Sequence, residues 1–143
     1  MKLKLDEASM EDEFFAGAFL IGIVSGLPAY RLCWMINNHF DLDFRCEADM
    51  GMQLSIKGNI THLPVYQHVI PNSFYRHLLY KLKVDSASLL PEMSKIDYMW
   101  MVQTRRAEED AIRIAGELKK IPDILLSQIM DRGQFKNLKN LLV

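Results

Sequence analysis

The run from Phe14 to Val24, Phe-Phe-Ala-Gly-Ala-Phe-Leu-Ile-Gly-Ile-Val, is apolar at every position. A strand with one wet face alternates, so an unbroken apolar run points to a strand covered on both faces. The cover comes from the rest of the domain alone or with a partner. Gly17 and Gly22 argue against a helix here and point to a bulge or a close backbone approach. The run has 11 residues, whereas a membrane-spanning helix needs about 20.

The rest of the chain reads as elements that can surround such a strand. Ser25-Gly26-Leu27-Pro28 is a turn and helix start, because proline fits the first helical turn without losing a bond. Ala29, Leu32, Cys33, Ile36 and Phe40 then fall on one helical stripe, widened by Tyr30 and Trp34, while Asn37 and Asn38 weaken the helix end. Residues 41–46 read as a short strand. Met52, Leu54 and Ile56 alternate with Gln53, Ser55 and Lys57 as in a half-buried strand. Gly58-Asn59 suits a type II′ hairpin turn with Gly58 first, and a return strand covers about 60–70. Pro64 cannot donate to a ladder, so that strand lies at an edge or is irregular there.

Pro71-Asn72-Ser73 marks another turn, followed by a strand through Leu78, Tyr80, Leu82 and Val84. Residues 85–88 form a polar loop, and Ile96 to Gln103 reads as a central strand. Ala107, Ala111, Ile114, Ala115 and Leu118 make a second helical stripe, with Glu109 and Arg113 as a helpful i,i+4 pair. Pro122 breaks the helix, Ile124 to Met130 is a last strand, and Phe135, Leu138 and Leu142 face inward from a helical tail. The order β-α-β-β-β-β-β-α-β with its hairpins predicts one α+β domain, a mainly antiparallel sheet with two amphipathic helices over one face.

The formal charge, 17 − 18 = −1, supplies no basic stripe for a phosphate backbone, so nucleic acid is not an expected partner. Acids directly follow the basic start Met1-Lys2-Leu3-Lys4, where a secretory leader would be apolar. A cytoplasmic, membrane-free location with Cys33 and Cys46 reduced is therefore expected.

The segment Leu90-Pro91-Glu92-Met93-Ser94-Lys95-Ile96-Asp97-Tyr98 resembles the signature of the bacterial IPExxxVDY family proteins. Leu90 replaces the family's Ile and Ile96 its Val, while Pro91, Glu92, Asp97 and Tyr98 match. Tyr30-Arg31-Leu32-Cys33-Trp34 resembles another segment of that family, and the likeness runs in the same order over most of the chain. The resemblance implies no activity, because the family has no established function.

The residues themselves say more. Pro91 can open one helical turn with Glu92 at its favourable N-terminal end. Asp97 shares a strand face with Met99 and Met101, so it needs a backbone N–H, a tyrosine hydroxyl or a cation as partner. Arg31, in an otherwise apolar helix segment, is the cation nominated. Two readings stay open for Arg31, Glu92, Asp97 and Tyr98: a buried ion-pair clamp, or a ligand site for a small anion or polar molecule. His68 and His77 can meet across a hairpin, but two imidazoles without HxH, HExxH or cysteine-rich spacing do not make a metal site, and exposed strand histidines are expected.

No GxSxG elbow and no phosphate-cradling glycine loop occurs, so neither catalytic residues nor a cofactor are assigned. The sequence therefore favours a non-catalytic protein–protein interaction domain, with a small-molecule-binding or enzymatic domain as the alternative. Nine methionines are many for this length; Met93, Met99, Met101 and Met130 fill an irregular core, whereas exposed methionine and aromatic surface would suit a partner interface. The Pro64 edge and the doubly apolar strands admit a homodimer.

Overall fold

A computed structural model of the chain describes residues 13–56, 58–84 and 87–141. In chain order its elements are β1 (Phe19–Ser25), α1 (Ala29–Phe40), β2 (Arg45–Cys46), β3 (Met52–Ile56), β4 (Asn59–Leu63), β5 (Val65–Val69), β6 (Arg76–Lys81), β7 (Lys83–Val84), β8 (Ala87–Ser88), β9 (Tyr98–Gln103), α2 (Ala107–Leu118) and β10 (Ile124–Met130). Six strands build one antiparallel sheet in the order β10-β1-β9-β6-β5-β2. The pairs β3–β4 and β7–β8 form separate two-stranded ribbons. The fold is α+β.

The pleat explains why the central strands are apolar throughout. Ile21, Ile23, Leu79, Tyr98, Trp100 and Val102 pack with Leu32 and Ile36 of α1 and Ala111, Ile114 and Leu118 of α2. Leu20, Leu78, Tyr80, Met99, Met101 and Met130 belong to the opposite cluster, with Phe15, Leu63, Leu90, Phe135, Leu138 and Leu141. Helices thus cover one face, and residues 14–18 and 135–141 with the small ribbons cover the other. Each fully buried Leu or Ile here contributes about 1.5–3 kcal/mol relative to exposure. Three methionines, at 99, 101 and 130, are core fillers.

Several expectations shift by a few residues, each for a local reason. The apolar run becomes strand only from Phe19, because residues 13–15 form a helical turn and Gly17 takes φ +67°. Phe15 is nevertheless buried, so the early part of the run serves packing rather than pairing. Gly22 does mark a close approach: a Cβ there would stand 3.1 Å from Met130 Cγ and Sδ and 3.2 Å from Ile96 Cδ1. The β3–β4 loop lies one residue earlier than expected. Ile56 pairs with Asn59, which makes Gly58, at φ +84°, the second central residue. Pro64 divides the return strand in two, and the halves join different sheets. Of the polar loop expected over 85–88, Ala87 and Ser88 pair with Val84 and Lys83 in the β7–β8 ribbon, and residues 85 and 86 lie outside the described residues.

The strand expected over 41–46 shrinks to Arg45–Cys46, because Asp41 takes a left-handed turn at the end of α1. Asn37 organises that end instead of weakening it. Its side chain accepts from Phe44 N at 2.8 Å and donates to Phe44 O at 3.1 Å. Tyr30 and Trp34 do not widen the buried stripe; they stand 72% and 66% exposed. On α2 the expected Glu109–Arg113 pair gives way to Arg106–Glu109 and Asp110–Arg113 at i,i+3 spacing. Phe135 and Leu138 face inward as expected, whereas Leu142 lies outside the described residues.

Candidate functional site

Leu90 to Tyr98 connects the β7–β8 ribbon to the centre of the large sheet. Pro91–Met93 is a single 3-10 turn with proline at its start, closed by Met93 N–H to Leu90 O at 2.9 Å. The chain then enters β9, where Asp97 N–H donates to Ile23 O and Asp97 O accepts from Leu82 N. The turn chemistry of proline thus sets where the strand begins, and the strand fixes both Asp97 and Tyr98.

Asp97 is held from two sides. Its Oδ2 accepts from Ser25 N at 3.0 Å, and its Oδ1 pairs with Lys83 Nζ at 2.9 Å. The same ammonium donates to Ser94 O at 2.7 Å, which closes the loop before β9. Lys83, not Arg31, is therefore the cation that satisfies Asp97. Leu32 and Cys33 take the inward positions of α1, which leaves Arg31 exposed and outside any ion pair among the described residues.

Tyr98 donates its hydroxyl to Leu27 O, at the turn into α1. Burial, then the neighbouring Asp97 charge and Tyr66, push its hydroxyl up to about 12, so it remains a neutral donor at physiological pH. Asp97 and Tyr98 do line one cleft of about 450 Å³, together with Ser25, Leu27, Lys81 and Lys83. Glu92 has different partners: its Oε2 accepts from Asn137 Nδ2 at 2.7 Å, while its buried Oε1 has no partner among the described residues. Asn140 Nδ2 donates to Leu89 O at 2.8 Å alongside it. Glu92 thus ties the turn to the C-terminal tail.

Three of the four residues have separate jobs, and Arg31 shares none of them. Asp97 joins the end of β1 to β7, Tyr98 anchors the start of α1, and Glu92 anchors the tail. Lys83 and Ser25 were not singled out from sequence. Lys83 stands between the apolar Leu82 and Val84 with no local mark of a partner, and the partner of Ser25 is 72 residues away along the chain. Replacing Asp97 with alanine removes the ion pair and leaves Ser25 N without its acceptor, an expected loss of about 2 kcal/mol. Arg31→Ala is expected to stay within about 0.5 kcal/mol of the parent, as exposed substitutions usually do. Urea unfolding of both variants checks the contrast; equal losses would refute the assignment of Lys83 as the partner.

His68 and His77 do face each other across β5 and β6, with ring centroids 5.9 Å apart. His77 is not an exposed strand histidine, because β6 is an interior strand and the ring is buried beside Trp100. Its Nδ1 accepts from Trp100 Nε1 at 3.0 Å, and His68 Nδ1 accepts from Asp43 N at 3.0 Å. Among the described residues no group of three or more His, Cys, Asp or Glu side chains could hold a metal ion. Cys33 and Cys46 are free thiols; burial pushes the Cys33 thiol up to about 11, which keeps it protonated at physiological pH. No described helix is long and apolar enough to cross a membrane. No family model matches this chain, and no curated protein matches it.

Proposed function

We propose that this chain is a non-catalytic protein–protein interaction domain of the IPExxxVDY type that pairs with a second copy of itself through β10. The observation that carries this reading is the state of that edge. Among the described residues β10 pairs with β1 alone, and its outer side has no strand neighbour. Ile124-Leu125-Leu126-Ser127-Gln128-Ile129-Met130 contains no charge and no proline, the usual devices that blunt an open edge. Leu125 is 74% and Leu126 42% exposed.

The edge is also long enough to template a partner. Leu125 is the extra residue of a bulge opposite Val24 and Ser25, but Leu126 to Met130 keep regular register with Leu20 to Val24. The N–H and C=O groups on the outer side of these residues, without a strand neighbour among the described residues, can form an antiparallel ladder with an identical strand. No like charges within the seven residues would then oppose each other. Asp123 and Asp131 flank the run and act as charged stops that favour a defined pair over an open stack.

Asp97, Lys83 and the Tyr98 hydroxyl, three polar groups of the cleft, each have a partner within the chain, which supports the non-catalytic reading. The decisive variant is Leu126→Lys, which places a charge on the open edge without touching a buried position. It is expected to sediment as a monomer while keeping the parent's circular dichroism, and to unfold at the midpoint that the parent reaches once diluted to monomer. An unchanged sedimentation coefficient in a parent that self-associates would remove β10 as the interface.

A further inference from the structure

We propose that a second site, built around Arg76 at the opposite end of the sheet's apolar run, binds a small carboxylate carried on an aromatic body. Arg76 begins β6 and faces Gln103 of β9 directly across the ladder. Its Nε donates to Gln103 Oε1 at 2.8 Å and its Nη1 to Gln67 Oε1 at 2.8 Å. Gln103 is itself held by Nε2 donating to Phe14 O at 2.7 Å. The Phe14 ring lies 5.6 Å from the guanidinium carbon and covers one face of it.

These contacts fix the orientation of the guanidinium without neutralising it. Both hydrogen-bond acceptors are neutral amides, and Arg76 forms no ion pair among the described residues. Arginine keeps its charge at any physiological pH and has five N–H groups. Two are used, so among the described residues one on Nη1 and both on Nη2 remain. Those two nitrogens form the end-on fork that matches a carboxylate bidentately. A structural arginine would instead be expected to close on a carboxylate of its own chain.

The surroundings fit a ligand with an apolar body. Arg76 lines a hollow of about 780 Å³, within the range of small-molecule sites of about 300–1,000 Å³. Phe14, Val69, Phe74 and Tyr75 supply its apolar walls, and Phe74 is fully exposed beside it. Among the described residues, the charged side chains at the hollow are Arg76 and Arg105 against Glu13, an excess of one positive charge. An aromatic ring can sit between these walls while its carboxylate meets the fork. The site is independent of the β10 edge and stands whether or not the chain pairs.

Phenylacetate is a suitable probe, titrated into the full chain and followed by amide NMR shifts. Saturating shifts at Phe14, Arg76 and Gln103 are expected. 2-Phenylethanol, which has the same ring without the charge, is expected to bind at least about tenfold more weakly, the factor that about 1.4 kcal/mol of charge-assisted bonding sets. Arg76→Lys keeps the charge but loses the fork and should weaken binding by a similar factor. Arg105→Gln, at an exposed position, should weaken it several-fold with the fold intact. Non-saturating shifts in the native chain would overturn the proposal, as would equal binding of phenylacetate and 2-phenylethanol. Saturation by inorganic phosphate alone would overturn the aromatic part of the assignment.

Discussion

Replacing Trp100 with alanine is expected to destabilise the domain by about 4 kcal/mol, the cost typical of deleting a fully buried large aromatic side chain. Trp100 is wholly buried in β9, the third strand of six, on the face that the helices cover. Its ring meets Phe40 and Phe44 edge-on, each at 5.3 Å between centroids, and His77 at 5.8 Å. Phe40 closes α1 and Phe44 follows it, so the indole is where the helix end, the strand β6 and the sheet centre converge. Alanine would leave a cavity and also remove the donor to His77 Nδ1. Trp100→Phe keeps most of the volume and should recover more than half of the loss. Urea unfolding of the two variants checks this; a loss below about 1.5 kcal/mol for alanine would mean that the cluster can collapse around the gap.

Acid is expected to weaken the fold by about 3 kcal/mol between neutral pH and pH 4, chiefly through His77. Burial, then the neighbouring His68, lowers the His77 imidazole from 6.5 to about 4. Its Nδ1 accepts the indole N–H, so it cannot also carry a proton there without breaking that bond. In the unfolded chain the ring takes up its proton near 6.5. Between the two values the unfolded state therefore binds more protons, and stability falls as pH falls. The contribution is fully present above about pH 6.5 and lost progressively down to about 4. His77→Gln offers an acceptor without the titration and should flatten this limb of the stability–pH curve. An identical slope in parent and variant would show that other groups govern the acid response.

What the sequence made legible was what depends on local pattern. Both helices were legible from their stripes, because Ala29, Leu32, Cys33 and Ile36, and likewise Ala107, Ala111, Ile114 and Leu118, are the buried positions. The alternation of Met52 and Leu54, the turn at Asn72 and the proline break at Pro64 were legible for the same reason. The apolar run is legible as a doubly covered strand, but the helical turn at 13–15 and the left-handed Gly17 put its start at Phe19. Nothing local could have revealed that Lys83 rather than Arg31 meets Asp97, since that depends on where β7 passes beside β9. Glu92 was identified as a turn residue, yet its partner Asn137 lies 45 residues away in the tail. The order of strands was equally hidden. It is what leaves β10 at the edge, and no periodicity within Ile124–Met130 distinguishes an edge from an interior strand.

The self-pairing of that edge is tested most directly by the mass of the unmodified chain in solution, measured by light scattering across a concentration series. The account predicts a species of twice the 16.6 kDa chain mass, dissociating only on dilution. A mass of 16.6 kDa throughout would contradict it, and β10 would then be an edge that the chain leaves unpaired.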